Sequence, residues 1–597
     1  MRVKAKRNES VFSAPASAIT GIATIISRLC RISYNQHRNT GSKKKEGTPM
    51  KKLVTLFLCL ALLLSAFSFA EETANPYRIV PEGEEVTISI GVISSALTEN
   101  YDDNTFTKKI EEDTGINIEV IPYSSDKAEA VTQLNLDLSA GNKVPDILFN
   151  FTMENAVINQ MGEDGYFVDL LPLMEEYCPN FWTALETIPE ATRYDIVAKS
   201  KDPANGAMYC FPTLEDGTYE SLGYLGQINK AWLDKLGLSM PTTVEDLYNV
   251  LVAFRDQDPN GNGIADEIPL LMQKGGGWKG DIFQWIINAF VYTLDDTRFN
   301  VTDGQLWVPY TTDEYRQAMI YMNKLYKERL LSDLCFTANG DAEVKALVCN
   351  DDAVIVGIAG GHPSLENITD HPNTMEYVAI PVLKDATGSG RGGFFPKCPA
   401  KYSYGYYVTT SCEHPEIAAQ LINYFYDPFN WANGRYGVKG ENWDVADEGT
   451  TDNYGIPAII KVIDDCYWTT QNSVVWHSNL PNIGTLPRRS VQAKPLEEGT
   501  WKYNFTHISL DIWANYEASM KPTELFTGVI LDAEQNDLFT EKCSGLWTYM
   551  KEARALMVSG VLDPNSDADW QTYLNNMEAN GLSTALEVYQ EAYDLIK

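Results

Sequence analysis

The stretch Val86-Thr-Ile-Ser-Ile-Gly-Val-Ile93 opens an alternation of segments that decides the fold class. Its run of mostly β-branched apolar residues is typical of a buried strand. A helical segment near 104–114 follows, then a strand at 116–122, a helix around 126–139 and a short strand at 146–149. Strands that alternate with helices predict parallel βαβ units in an open, doubly wound sheet. We therefore expect an α/β fold whose ligand site lies on loops beyond the carboxyl ends of the strands.

The same rhythm begins again near residue 222. Asp and Glu in the first turn after Pro241-Thr-Thr243 mark a helix start. The sequence predicts two α/β lobes followed by a helical C-terminal part. The expected strands are 222–229, 353–359, 376–382 and 405–410, and the expected helices are 230–236, 243–255, 415–426, 456–468, 545–558 and 567–597.

Length and charge exclude several classes of protein. A chain of 597 residues is too long for one hydrophobic core, and 44% apolar residues exclude disorder. The net charge is −34, but residues 1–70 hold 12 Lys+Arg and 2 Asp+Glu. The remainder has 35 basic and 79 acidic residues, a net charge of −44. Because such a surface repels phosphate backbones, we expect no nucleic-acid partner.

The basic N-terminus has the pattern of an export signal. Met50-Lys-Lys52 precedes an uncharged run, Leu53 to Ala70, which ends in Ser68-Phe-Ala70. This order predicts a secretory signal peptide over 50–70, cleaved near Ala70. An uncleaved membrane anchor is the alternative, since the run reaches the lower limit for a span. Lipidation would need a cysteine at the end of the run, whereas Cys59 lies inside it. We interpret residues 1–49 as a non-native upstream extension rather than a transit peptide.

Eight cysteines follow residue 70, and none forms Cys-x-x-Cys, so a zinc site has no support. An exported chain could pair them, but the sequence selects no connectivity.

The segment Asp256-Gln-Asp-Pro-Asn-Gly-Asn-Gly-Ile-Ala-Asp-Glu267 has the spacing of a calcium loop. Calcium takes six to eight oxygen ligands, and alternate loop residues can place them around one centre. An ordinary EF-hand has Glu at loop position 12, where this chain has Pro269, so adjacent carboxylates must close the site. An unliganded Asn/Gly turn is the alternative. The predicted ligands of a structural Ca²⁺ are Asp258, Asn260, Asn262, the Ile264 carbonyl, Asp266 and Glu267.

This loop, together with the Gly-Leu-x-x-Pro-Thr-Thr-x-x-Asp-Leu helix before it, resembles the extracellular solute-binding proteins of family 1. These are receptors of ABC importers, and the resemblance is to their long calcium-containing branch with alginate- and oligosaccharide-binding members. Gly206-Ala-Met-Tyr-Cys-Phe-Pro212, Gly434-Arg-Tyr-Gly-Val-Lys-Gly440 and the C-terminal segment from Trp570 to Tyr593 are also similar to family motifs. Lys439 departs from the family pattern, in which Glu is usual at that position. The resemblance spans about residues 80–597.

The resemblance implies a periplasmic-binding-protein-like fold in which two lobes, joined by hinge strands, close on a solute. It also implies crossings between the lobes near 215–222, 403–408 and 445–455. The expected domains are lobe 1 at 80–216 plus 404–450, and lobe 2, with the calcium loop, at 217–403 plus 451–597.

A sugar receptor needs aromatic platforms and hydrogen-bonding side chains. Trp278 lies between glycines and Lys279 in a polar loop, so it is the first candidate. Trp285, at helical spacing with Ile282 and Ala289, is expected in the core. The other ligand candidates are Tyr219, Trp443, Tyr436, Asn150 and Phe151.

The sequence is compatible with three functions. The favoured one is a monomeric, secreted receptor that passes a sugar or oligosaccharide to ABC permease subunits, without catalysis. A secreted glycosidase would need a carboxylate pair that 79 acidic residues cannot single out, and the sequence lacks a nucleophile elbow or metalloprotease motif. A calcium-dependent surface binding module rests on the loop alone.

Overall fold

Five strands form the sheet of the first lobe: β1 (Val86–Ile93), β2 (Ile116–Tyr123), β3 (Ile147–Phe149), β4 (Phe211–Pro212) and β11 (Tyr404–Val408). Their order is β2-β1-β3-β11-β4; β1 is parallel to β2 and β3, and β11 is antiparallel to β3 and β4. The computed structural model describes residues 75–597 except for 152, 154, 188–195, 215–225, 272–282, 294–298, 338–345, 351, 361–370, 395–403, 454, 465, 467–470, 478–490, 495–496, 520–525, 527 and 597.

Both faces of this sheet are buried. Phe149 and Tyr406 pack in a core on one face, and their strand neighbours Leu148 and Tyr407 pack in a second core on the other. Alternate residues of a strand point to opposite faces, so a sheet covered on both sides needs continuous apolar strands. This explains why seven of the eight residues of β1 are buried, Thr87 being the exception.

Four strands form the sheet of the second lobe: β5 (Gly226–Asn229), β6 (Ile268–Leu271), β9 (Val356–Gly360) and β10 (Tyr377–Ala379). The order is β10-β5-β9-β6, with β6 parallel to β9 and the other pairs antiparallel. A separate, larger hydrophobic core contains Ile228, Leu270 and Ile358 together with C-terminal helical residues such as Met550 and Tyr573. Separate cores for the two sheets give the two-lobe α/β architecture that the sequence predicted.

Helices cover the sheets, and the helix before the predicted calcium loop shows how they begin. Thr243 accepts a hydrogen bond from the Asp246 amide at 3.1 Å, and Asp246 accepts from the Thr243 amide at 3.1 Å, which together form a capping box. The helices are Thr105–Thr114, Lys127–Ser139, Asn155–Glu163, Leu171–Tyr177, Pro179–Glu186, Lys230–Leu236, Val244–Asp256, Phe283–Ile287, Asp313–Lys327, Pro415–Tyr424, Pro428–Tyr436, Trp501–Ala518, Ala533–Cys543, Leu546–Ser559, Asp567–Ala579 and Leu582–Ile596. Short 3₁₀ turns lie at Pro309–Thr311, Asp333–Phe336 and Pro372–Glu376, and β7 (Asn300–Thr302) pairs with β8 (Gln305–Trp307).

The prediction of a helix over 456–468 is wrong. The described part of this segment contains β13 (Ile460–Val462), which pairs antiparallel with β12 (Trp443–Val445). The apolar residues at 459, 460, 462 and 463 fit a short strand as well as a helix, so periodicity alone misassigned them.

The hairpin of β12 and β13 also shows that the first lobe extends beyond residue 450. Ile460 and Trp476 pack in the core of the first lobe, and the Gln492 amide donates to the Ile460 carbonyl at 2.8 Å. Ile508 belongs to the core of the second lobe. The sequence expectation that the first lobe ends at 450 is therefore too short, and we propose that the third crossing lies between Gln492 and Ile508. The second crossing precedes β11 rather than coinciding with 403–408, because 404–408 is a strand of the first lobe.

No helix among the described residues is long and apolar enough to cross a membrane, and 51–70 lies outside the described residues.

Five buried cysteines carry free thiols: Cys178, Cys210, Cys335, Cys412 and Cys543. Burial raises the pKa of Cys178 and of Cys335 to about 12, so these thiols are packing groups rather than nucleophiles.

Candidate functional site

The carboxyl ends of the parallel strands in the first lobe form one edge. Ile93, Tyr123 and Phe149 end β1, β2 and β3, and their register places them side by side. β4 ends at the same edge with Pro212, opposite Tyr404 at the start of β11. Loops at such an edge are where ligands of open α/β sheets bind.

The second lobe presents a corresponding edge. The register aligns Gly226 at the start of β5 with Gly360 at the end of β9, and Leu271 ends β6 beside Ala359. Leu214 still packs in the core of the first lobe and Gly226 begins the second sheet, so the chain passes from one lobe to the other between these two residues. The candidates Tyr219 and Trp278 lie in 215–225 and 272–282, outside the described residues.

Asn150 and Phe151 follow β3 at the edge, as predicted, but they differ in exposure. Asn150 is partly exposed and adopts a left-handed φ of 65°, and its amide donates to the Gly405 carbonyl at 2.6 Å. Phe151 is fully buried; its ring packs edge-on against Tyr123, with centroids 5.0 Å apart. Asn150 stays a prediction as a solute contact, whereas the Phe151 ring is a packing group at this edge.

Tyr436 and Trp443 are also largely buried within the first lobe. Tyr436 packs edge-on against Trp431, with centroids 5.8 Å apart. Trp443 donates through Nε1 to the Gly437 carbonyl at 2.9 Å and to Asn433 Oδ1 at 3.2 Å, and it lines a cavity within this lobe. Both stay predictions as solute contacts. Trp285 is 1% exposed and donates to the Pro381 carbonyl at 2.7 Å, so its predicted core position is confirmed.

One pair beside the edge was missed by sequence reasoning. Thr98, in the loop after β1, has its Oγ1 2.8 Å from Nδ1 of buried His477. His477 has a left-handed φ of 50°, a strained conformation for a non-glycine residue. Burial, with a smaller contribution from Arg435, lowers the pKa of His477 to about 4. No local pattern links residues 379 positions apart, so the sequence carried no signal for the pair.

The predicted calcium loop has the backbone hydrogen bonds of an ion-binding loop. Asp258 accepts from the Gly261 and Gly263 amides at 2.8 and 3.1 Å, and both glycines have positive φ. Asn260 Oδ1 accepts from the Asn262 amide at 3.0 Å. Asn262 Oδ1 accepts in turn from the Ile264 amide at 2.7 Å, so the backbone amides of the loop hold the side-chain oxygens at positions 1, 3 and 5.

The donor set of this loop carries three carboxylates, of Asp258, Asp266 and Glu267. Glu267 Oε1 is buried and has no hydrogen-bond partner among the described residues. Burial raises the pKa of Glu267, and the neighbouring Asp266 and Asp258 carboxylates raise it further. A cation would neutralise this repulsion and supply the missing partner. Asp266 accepts from the Asn260 and Asn262 side-chain amides at 2.9 and 3.0 Å, which closes the ring without an ion. Across the described residues, no three His, Cys, Asp or Glu side chains are clustered as a metal site, so asparagine and main-chain oxygens would have to complete one.

A second loop in the same lobe repeats the ladder of hydrogen bonds. Asp385 accepts from the Gly388 and Gly390 amides at 3.0 and 2.7 Å, Thr387 Oγ1 from the Ser389 amide at 3.2 Å, and Ser389 Oγ from the Arg391 amide at 3.2 Å. Burial opposes ionisation, but these amides hold the pKa of Asp385 below its usual value. This loop has a single carboxylate, Asp385, and hydroxyls at its third and fifth positions, Thr387 and Ser389. The loop's own backbone amides donate to all three side chains. It is a natural control for the predicted calcium loop.

The two-lobe α/β fold is that of a solute-binding protein, and the chain belongs to the bacterial extracellular solute-binding proteins. The sequence profile of that family matches residues 98–430, more than half of the chain.

Two relatives match nearly their whole length. The fructooligosaccharide ABC transporter substrate-binding protein FusA of Streptococcus pneumoniae is 25% identical over 578 residues, covering 91% of this chain and 97% of the relative. The solved structure of a solute-binding protein described as HMO-binding, from Bifidobacterium longum infantis, is 24% identical with a TM-score of 0.67, covering 86% of this chain and 99% of that one. A FusA structure in complex with kestose matches with a TM-score of 0.64 at 23% identity, covering 85% and 99%.

Proposed function

We propose that this chain captures an oligosaccharide between the edges of its two lobes and delivers it to the permease of an ABC importer, without chemical turnover. The near-complete match to a fructooligosaccharide-binding relative carries this proposal, because it includes both lobes and the calcium loop. The strand ends of the two lobes, between which the chain passes from Leu214 to Gly226, would supply the place for the solute. Differential binding to a closed state would drive closure of the lobes.

The solute contacts that we propose are Trp278 and Tyr219 from the segments at the joined edges, with Asn150 from the first lobe. An indole face stacked on a sugar ring would be buried only when the solute is bound. We expect Trp278→Ala to weaken binding by about 2 kcal/mol, roughly 30-fold in Kd, with little change in melting temperature. Isothermal titration with whichever oligosaccharide a thermal-shift panel identifies measures this.

Trp307 provides the control for that experiment. It is a partly exposed tryptophan of the same lobe, in β8, whose neighbour Leu306 donates through its amide to Gln590 of the last helix. Trp307→Ala should leave Kd unchanged. If no oligosaccharide raises the melting temperature while a peptide does, the carbohydrate assignment is overturned; if Trp278→Ala lowers stability and leaves Kd intact, only the platform is misplaced.

We further propose that the loop from Asp258 to Glu267 holds one structural Ca²⁺. The ligands would be the side-chain oxygens of Asp258, Asn260, Asn262, Asp266 and Glu267, with the Ile264 carbonyl. The unpartnered Glu267 Oε1 supports this, and solved relatives include an EF-hand mutant of FusA and an alginate-binding protein described as without calcium ion. The bound ion would supply charge neutralisation at the join between the helix Val244–Asp256 and β6.

Calcium should therefore raise the melting temperature, since a ligand at 100 times its Kd adds about 2.7 kcal/mol of stability. Asp258→Asn should abolish most of that increase. Asp385→Asn removes the equivalent carboxylate from the loop without a charge cluster and should leave the increase intact. Differential scanning calorimetry in calcium and in chelator gives the comparison. Equal loss in both variants, or tighter solute binding with no stabilisation, would contradict a structural calcium site.

Export also belongs to the proposal. We propose that the segment 50–70 directs secretion and is removed near Ala70, and that the receptor works as a monomer. One relative, LipO of Bacillus subtilis, is described as a lipoprotein and is 25% identical over 403 residues. The sequence pattern at Ser68-Phe-Ala70 supports cleavage without lipid in this chain.

A further inference from the structure

A lysine from outside the predicted calcium loop lies against that loop. Lys235 is in the last turn of the helix Lys230–Leu236, and its ammonium donates to the Pro259 carbonyl at 2.6 Å. Among the described residues Lys235 forms no ion pair, whereas Lys230 of the same helix pairs with Asp234. The positive charge of Lys235 therefore acts on the loop without a carboxylate partner of its own.

The ammonium contacts the loop at its second and fourth positions. Pro259 is the second residue of the loop, and at the fourth a Cβ on Gly261 would lie 2.7 Å from Lys235 Nζ. Gly261 has a φ of 78°, and its missing side chain permits this close approach. The proposed side-chain ligands at positions 1, 3 and 5 alternate with these two residues. Lys235 thus lies against the backbone that carries the ligands without being one of them.

The Asp385 loop has no such contact. Its fourth position is Gly388, with a φ of 70°, and a Cβ added there would have nothing within 4 Å among the described residues. That loop has one carboxylate, whereas the predicted calcium loop has three. The lysine contact therefore accompanies the loop that carries the excess of negative charge.

A fixed positive charge beside an ion-binding loop acts on the loop and on the ion. Without an ion, it offsets part of the repulsion among the carboxylates of Asp258, Asp266 and Glu267. Towards an arriving cation it is repulsive, and the repulsion is proportional to the charge of the cation. A unit charge about 8 Å from a divalent ion in water changes the affinity roughly five-fold.

We propose that Lys235 sets the affinity and the charge selectivity of the calcium site, by weakening the binding of multivalent cations and of trivalent ones most. This inference rests on the proposed calcium site. Removal of the charge should tighten Ca²⁺ binding about five-fold and La³⁺ binding about ten-fold, because the repulsion grows with the charge of the ion.

The test is isothermal titration of the full chain with Ca²⁺, and with La³⁺ in competition with Ca²⁺ so that the same loop is measured. Lys235→Met removes the charge and keeps an unbranched apolar stem, and it should show both gains. Lys235→Arg keeps the charge and should bind both ions as wild type does. The matched control is Lys230→Met, which removes a paired lysine from the same helix and should leave both affinities unchanged. Added salt should reduce the gains of Lys235→Met, since it screens the repulsion.

The two ions separate an effect of charge from an effect of loop conformation. Equal gains for Ca²⁺ and La³⁺ in Lys235→Met would show that the side chain acts through the shape of the loop, and would overturn the inference. Unchanged or weaker Ca²⁺ binding in Lys235→Met would overturn it too, as would the same gains in Lys230→Met. Absence of Ca²⁺ binding in wild type is a different result, because it would refute the calcium site itself and the role of Lys235 with it.

Discussion

His477 links acid sensitivity to a single side chain. It is 2% exposed beside Thr98 and Arg435, and its pKa is lowered to about 4 from an ordinary 6.5. Between these two pH values the unfolded chain binds a proton that the folded chain does not. Stability therefore falls as pH decreases from about 6.5 toward 4, and it is unaffected by this group above 6.5.

We expect His477→Asn to remove this part of the pH dependence. Asn tolerates the left-handed φ and can accept a hydrogen bond from Thr98. Urea unfolding at neutral pH and near pH 5 should show wild type losing about 1–2 kcal/mol more than the variant. His414 is half-exposed, so His414→Asn should behave as wild type. An equal acid loss in wild type and in His477→Asn would show that other groups cause it.

Two aromatic residues, Trp285 and Phe151, show how far the sequence alone predicts the position of a side chain. The sequence placed Trp285 in the core from helical spacing, and it is there. It placed Phe151 among the solute contacts because it follows a strand, yet its ring packs on Tyr123. An aromatic residue after a strand can support the edge or face the solute with the same local sequence. The choice depends on neighbours far along the chain, here Tyr407, whose hydroxyl donates to the Phe151 carbonyl at 2.9 Å.

Among the helices and strands, those whose own sequence carries the signal for their conformation were predicted best. The strand Val86–Ile93 and the helix after Thr243 were found because a mostly apolar, β-branched run and acidic residues in a first helical turn are local signals. The short strand Ile460–Val462 was not, since three paired residues owe their conformation to β12. The Asp385 loop was also missed: it forms the same ladder as the Asp258 loop, but its hydroxyl residues carry no metal-ligand pattern.

At the scale of the whole molecule, two cores and their connections matter most. Apart from the crossings, the helix Asn155–Glu163 of the first lobe contacts the helix Ala533–Cys543 of the second. Two lobes with separate cores can move as bodies, while contacts of this kind set which relative positions are stable. Sequence could predict the lobes, because each sheet has its own rhythm. It misplaced the last boundary, because Trp476 reaches the first core only through tertiary packing.

Separate cores also determine how far the effect of calcium should spread. The proposed calcium loop joins the helix Val244–Asp256 to β6, and the Ile268 amide donates to the Ile355 carbonyl beside β9 at 2.7 Å. Leu251 and Leu270 belong to the core of the second lobe, and no residue of these elements packs in the cores of the first. Removing calcium should therefore loosen the second lobe and leave the first unchanged.

Hydrogen exchange with mass spectrometry can resolve this difference. In chelator, peptides covering Val244–Asp256 and β6 should exchange about ten-fold faster than in calcium, since 1.4 kcal/mol of local stability corresponds to that factor. Peptides from β1 and β3 should exchange at equal rates in both conditions, and they serve as the internal control. In Asp258→Asn the calcium-dependent difference should disappear from the second lobe. Equal acceleration in both lobes would mean that the ion stabilises the chain as one cooperative unit, and acceleration confined to the first lobe would place the ion elsewhere.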